Sequence, residues 1–301
     1  MFANNDKKVI PGEYEYKWVK LERIGKVLKI TFDRTKQLNA LSDELESEIH
    51  LALDEGDADD GVNCMVITGN GHFGVGYDMA NEPGEKNVLD PGRFDTVGDF
   101  IAFWQEADDA IVRRQLHFFN LKKPVIAAVE GYCLGGSMWL AMASDMAYCS
   151  ETAVFGQPEI RHCSNSTFLI PALCGRQHAS RWLYTGDHFD GKEAERIGLV
   201  NECVPPEKLM DTVMYVAERV AKVPHLSVRY MKSLIMQGTL AAGLASAMEY
   251  TAPISTLGHT AHSKEREEFM KLAEEKGIKA FLEKRDGPFL PEPMGPKSKV
   301  K

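Results

Sequence analysis

The chain lacks any run of about 18 apolar residues, so the sequence offers no candidate for a membrane span. It also lacks a block of basic residues. With 44 Asp and Glu against 35 Lys and Arg, the formal charge is −9, which argues against nucleic acid or an anionic membrane as the main partner. An acidic substrate has to be met by local Lys and Arg. The opening residues 1–8 contain no apolar segment of signal-peptide length and no Arg-rich amphipathic pattern, which predicts a cytoplasmic protein. The six cysteines (Cys64, Cys133, Cys149, Cys163, Cys174, Cys203) form no CxxC pair and no spaced Cys/His set. They read as reduced thiols acting as small hydrophobes, with Cys163, beside His162, the one to watch. The nine histidines form no HExxH pattern, and neither GxSxG nor GxxxxGK[ST] occurs, so metal, serine-elbow and phosphate-loop chemistry find no support.

What is present is a 301-residue chain with 44% hydrophobic residues, enough for a sizeable core. Residues 18–22 and 26–32 read as a hairpin around Gly25, followed by a helix from Ser42, a plausible N-cap, to about residue 53. The apolar run 64–69 is the next strand, and strand–helix–strand order predicts a parallel sheet and an α/β fold. Residues 81–98, rich in Gly, Pro, Asn and Asp, read as an exposed insertion leading into a helix over about 100–119. Further strands are expected at 123–129, 146–149 and near 154–156. Beyond Val204 the pattern is helical only, at about 206–220, 227–237, on to 257, and 264–284. The division expected is a core over 1–204, a dependent helical region over 205–287 and a loosely ordered tail over 288–301.

Two segments share a logic. Gly69-Asn70-Gly71-His72-Phe73-Gly74-Val75-Gly76-Tyr77-Asp78-Met79 and Gly131-Tyr132-Cys133-Leu134-Gly135-Gly136-Ser137 each follow a buried strand, and each is expected to lead the chain into a helix. Glycine there lets the backbone approach a ligand and turn N–H groups outward, so two such turns side by side aim two donors at one oxygen. The spacing of Gly69, Gly71 and Gly74 is wrong for a dinucleotide fingerprint.

Together with Leu38-Asn39-Ala40-Leu41, the strand and turn 123–132, Leu134-Gly135-Gly136-Ser137, Phe155-Gly156-Gln157-Pro158-Glu159-Ile160 and Thr185-Gly186…Ala194…Gly198-Leu199-Val200, these motifs resemble the crotonase (enoyl-CoA hydratase/isomerase) superfamily. The resemblance implies a ββα spiral core with a helical C-terminal region that packs on neighbouring subunits, in homotrimers or dimers of trimers. It implies an acyl-CoA thioester as substrate, with coenzyme A part of that substrate and no separate cofactor. The backbone N–H groups of Tyr77 and Gly136 match the oxyanion hole. Lys36, Asn39, Ala40 and Leu41 match the segment that holds the nucleotide part of coenzyme A, and Phe281, Lys284 and Arg285 match its C-terminal counterpart. Gly76, Asp78 and Gly135 flank the oxyanion donors, Asp78 at a position that is usually structural.

Hydratases of the family resemble one another in using two glutamates. The second matches Glu159; at the position of the first stands Trp139. One acid/base suits a proton shift within an enolate, as in isomerases, or in lyases that hydrate and then cleave. The other readings are a non-catalytic acyl-CoA-binding member and a carbon–carbon or thioester hydrolase. Trp139 is expected to narrow and dry the pocket, favouring a bulky or aromatic acyl group. His162, three residues after Glu159, has three open readings: orienting Glu159, acting as a second acid/base, or capping a strand. The polar stretch 161–167 replaces the Gly- and Pro-rich loop common in the family.

Overall fold

The structure, a computed structural model, describes residues 12–79, 89–162, 166–261 and 263–294. Cys163, residues 81–88 of the expected insertion and residues 295–301 of the expected tail lie outside the described residues.

Strands β1 (Val19–Ile24) and β2 (Val27–Phe32) form the antiparallel hairpin expected at Gly25. Helix α1 (Asp43–Ala58) starts at Ser42, whose hydroxyl accepts the Leu45 N–H at 3.3 Å. It runs past the expected end because Gly56 is itself buried: a Cβ there would fall 2.5 Å from Met65 Sδ, so the helix lies tight on the next strand. That strand, β3 (Cys64–Gly69), pairs parallel with β2.

The first glycine segment departs from expectation. Residues 70–79 do not turn helical but stay irregular, bridging Gly74 to Cys133 and Tyr77 to Leu41. Gly71, Gly74 and Gly76 have φ of 79°, 157° and 91°, incompatible with a right-handed helix. Helix α2 (Val97–Asn120) follows later, opened by a capping box between Thr96 and Asp99. Then come β4 (Val125–Val129), β5 (Tyr132–Leu134) and α3 (Gly135–Ala143), so the second glycine segment makes a short strand before it becomes helix. The order continues with β6 (Met146–Ser150), β7 (Val154–Gly156), α4 (Leu169–Cys174), α5 (Arg176–Thr185), β8 (Phe189–Asp190), α6 (Gly191–Arg196), β9 (Glu202–Val204) and α7 (Leu209–Lys222).

The main sheet has the order β1-β2-β3-β4-β6-β9, parallel from β2 onward; β5, β7 and β8 form a second sheet. Central β4 is buried along its whole length, as expected for a parallel strand covered on both faces.

The chain ends in α8 (His225–Thr239), a π-type turn over Leu240–Leu244, α9 (Ala245–Thr260) and α10 (Lys264–Asp286), which breaks at Gly277 with φ 79°. Helix α9 lies along α2, where buried Asp108 accepts from the Ser255 and Thr256 hydroxyls at 2.6 and 3.1 Å. The stretch 288–294 is not loose: Glu292 is 2% exposed and bonded to Arg161 and His188, so buried charge pairing fixes it. Among the described residues five cysteines are unpaired, four of them buried, and no helix is long and apolar enough to cross a membrane.

Candidate active site

The chain leaves β3 and β4 at their carboxyl ends, the side on which parallel sheets collect ligands. The 70–79 segment is held there from two directions. Leu41 N–H donates to the Gly76 carbonyl (2.8 Å) and Asp78 N–H to the Leu41 carbonyl (2.9 Å). In an extended ladder neighbouring residues present their polar groups to opposite edges, so with Gly76 and Asp78 bonded to Leu41, the Tyr77 N–H faces the other way. On that other side, Gly76 N–H donates to Ser137 Oγ at 3.1 Å, and a Cβ on Gly76 would lie 3.6 Å from the Gly136 nitrogen. Gly136 is in the first turn of α3, where N–H groups have no intrahelical acceptor. Among the described residues, neither Tyr77 N–H nor Gly136 N–H has a protein acceptor.

The Tyr77 ring lies against Gly136 and edge-on to Trp139, with centroids 5.9 Å apart. Its hydroxyl donates to Glu46 at 3.1 Å, and Glu46 pairs with Arg114. Glu46 is 2% exposed; burial pushes its carboxyl up to about 7 against the pull of Arg114, and burial also raises the Tyr77 phenol well above its usual range. Sequence reasoning missed Glu46, a charge inside an otherwise ordinary amphipathic helix.

Glu159 sits on the 3-10 turn Pro158–His162, its carboxylate oxygens 3.5 and 3.6 Å from where a Gly135 Cβ would be. Its Oε1 is buried and, among the described residues, unpartnered. Burial raises this carboxyl from 4.5 to about 7, with its own backbone N–H and the Arg285 charge opposing. Beside it lies a cavity of about 350 Å³ lined by Gln157, Phe168, Leu183, Tyr250 and Ile254. Trp139, 8% exposed, closes the site near Tyr77 and donates its Nε1 to Gln157.

The structure thus gathers Tyr77, Gly76, Gly135, Gly136, Trp139 and Glu159. Asn39, fully buried, ties its loop to the next one: it accepts from Arg34 N–H (2.8 Å) and donates to the His72 carbonyl (2.6 Å). Ala40 accepts from Arg34, which also pairs with Asp78, while Lys36 is exposed on the turn Thr35–Gln37. His162 caps no strand. It lies in the same 3-10 turn as Glu159, with its ring edge-on to buried Phe281 at 5.3 Å. Its Nδ1 is buried and unpartnered, so no bond to Glu159 orients the acid, and burial, reinforced by Arg285 and Arg266, lowers its pKa to about 3. That keeps it neutral. Lys284 turns outward to Glu268 (2.9 Å), whereas Arg285 is buried and acts on Glu159. Among the described residues no group of three His, Cys, Asp or Glu is arranged to hold a metal ion.

The enoyl-CoA hydratase/isomerase family model matches residues 22–291. A probable mitochondrial enoyl-CoA hydratase of Dictyostelium discoideum is 36% identical over 220 residues, covering 71% of this chain and 73% of the relative. The crotonyl-CoA hydratase of Syntrophomonas wolfei is 32% identical over 281 residues, covering 91% and 98%. The crystal structure of an enoyl-CoA hydratase/isomerase from Xanthobacter autotrophicus Py2 superposes with a TM-score of 0.81 at 26% identity, covering 91% of this chain and 99% of that one. With the match running through nearly the whole described chain, this protein belongs to the enoyl-CoA hydratase/isomerase family and has the crotonase fold.

Proposed function

We propose that the protein binds an enoyl-CoA thioester with its carbonyl oxygen between the N–H groups of Tyr77 and Gly136, and that Glu159 carries the proton exchanged at the carbon beside that carbonyl. The reading is supported above all by the buried Glu159 carboxyl, its Oε1 unpartnered among the described residues, poised near 7 and set against Gly135 next to the Gly136 N–H. Two amide donors stabilise the enolate oxygen as negative charge develops; losing one such donor commonly costs about 3–4 kcal/mol. With Trp139 where a second carboxylate would stand, one group takes and returns the proton. That favours double-bond isomerisation, with hydration or lyase chemistry requiring water held by Glu159 alone.

Helix α8 exposes Leu226, Tyr230 and Leu234 on one face, 48, 70 and 68% exposed, which fits burial against other copies in a homotrimer or a dimer of trimers. Sedimentation giving a monomer would remove that part of the reading.

The deciding experiment follows exchange of the α-proton of a 3-enoyl-CoA ester, whose α-carbon is saturated, in heavy water. The parent protein exchanges it, and Glu159→Gln binds the ester but loses most exchange and turnover. Binding with no exchange in the parent would mark a non-catalytic acyl-CoA-binding member, and full activity in Glu159→Gln would refute the assignment.

A further inference from the structure

Glu159 stands on a short 3-10 turn. The bond by which the chain enters it, Ile160 N–H to the Gln157 carbonyl, is long at 3.4 Å, and 3-10 turns have poorer hydrogen-bond geometry than an α-helix. The downstream anchor is Arg161, whose side chain is 1% exposed. Its Nε donates to the Thr185 carbonyl at 2.9 Å, its Nη1 to Asp286 at 3.1 Å, and its Nη2 to Asp187 at 3.0 Å and Glu292 at 2.8 Å. The guanidinium also lies over the Phe289 ring, 3.9 Å from its centroid.

Each carboxylate around Arg161 is shared with a second partner. Asp187 also meets Arg181 at 2.9 Å, Asp286 meets Arg285 at 2.8 and 2.9 Å, and Glu292 accepts the His188 N–H at 3.2 Å with its ring Nδ1 at 2.7 Å. A planar guanidinium that meets several carboxylates at once has little freedom left, so Arg161 transmits position as well as charge.

We propose that residues 286–292 form a strap that completes the acid/base site, with Asp286 and Glu292 acting through Arg161 as positioning residues that hold Glu159 against Gly135. The inference rests on Glu159 as the proton carrier. Glu292 lies 131 residues beyond Arg161, so the turn is fixed only once the end of the chain has docked. Burial works against ionising Glu292, but the bonds from His188 and Arg161 outweigh it and hold the carboxyl at about 2, so the strap stays charged at working pH. Arg285 gives a second link, since it is bonded to Asp286 and its charge acts on Glu159.

The test is Glu292→Gln in the full chain, which removes one charge and keeps the shape. Amide hydrogen exchange at 159–162 quickens about tenfold while β3 is unaffected. Turnover falls about ten- to a hundredfold, KM for the thioester holds, and the midpoint of the pH–rate profile moves, as displacement of a reacting group predicts. Unchanged exchange overturns the strap whether or not Glu159 is the proton carrier. Faster exchange with parental turnover and pH midpoint overturns its part in the chemistry. Arg161→Lys, which keeps the charge and loses the fork, is read by the same measurements if Glu292→Gln does not fold. Should Glu159→Gln keep full turnover, the acid/base role fails, while the exchange measurement still decides the strap.

Discussion

The Trp139 indole donates to Gln157 Oε1 at 2.7 Å, and the Nε2 of the same amide reaches the Gly135 carbonyl at 3.1 Å. One buried side chain therefore couples the ring that walls the site to the turn that presents the Gly136 N–H, and Ser166 Oγ adds a third bond at 2.8 Å. Gln157 directly precedes the turn of Glu159, so both halves of the site share this amide.

Gln157→Leu leaves the buried Trp139 indole N–H without a partner, which costs about 1–3 kcal/mol, and removes the second donor on the Gly135 carbonyl. We expect a lower urea midpoint with an unchanged slope, and reduced turnover. A parental midpoint would show that Gln157 does not bear this role.

Gly136→Ala tests the donor pair through its neighbour. Gly136 lies in a helix that tolerates alanine, but the new Cβ would fall 2.5 Å from the Tyr77 ring. The ring and its backbone must shift, and kcat is expected to fall by about 10²–10³, the effect of losing one oxyanion donor. A variant within threefold of the parent would mean that the two amides do not act together.

Activity should follow the ionisation of Glu159. A base works when deprotonated, so kcat/KM rises with pH through a midpoint near 7 rather than near the ordinary 4.5. A profile flat from pH 5 to 9 contradicts this.

The same shift predicts a stability effect of opposite sense. Because the folded-state value lies above the ordinary one, the fold favours the protonated acid: this contribution is complete below pH 4.5 and is lost as pH rises through about 7. Glu159→Gln, permanently neutral, should gain stability relative to the parent at pH 8, on the order of 3 kcal/mol, and almost none at pH 4.5. Thermal melts at the two pH values give the comparison; equal differences at both would exclude a buried titration.

The apolar cavity beside Glu159 predicts a preference for bulky or aromatic acyl groups over short linear ones. Ile254→Trp, which fills the cavity from α9, should depress turnover of an aromatic enoyl-CoA at least tenfold more than that of crotonyl-CoA. A parent protein that prefers short linear chains would count against the reading.

Much of this was legible in the residues themselves. Strands β3 and β4 are continuous apolar runs, Ser42 caps α1 as its side chain dictates, and glycines at positive φ mark where backbone must approach backbone, so these features follow from local chemistry. The residues that match the donors and Glu159 lie close together: a Cβ on Gly76 would fall 3.6 Å from the Gly136 nitrogen, and one on Gly135 3.5 and 3.6 Å from the Glu159 carboxylate oxygens. Tertiary structure decided the rest, because burial and charge add up over segments far apart in the chain. Lys284 and Arg285 are equivalent as neighbouring cations, yet one step along a helix turns a side chain by about 100°, and only the packing of α10 sends the arginine inward. The first glycine segment reads locally as a helix start, and its pairing with Leu41 and Cys133 keeps it open instead. Glu159 is an ordinary carboxylate in sequence; its raised proton affinity comes from the water that the surrounding elements exclude, which no single segment specifies.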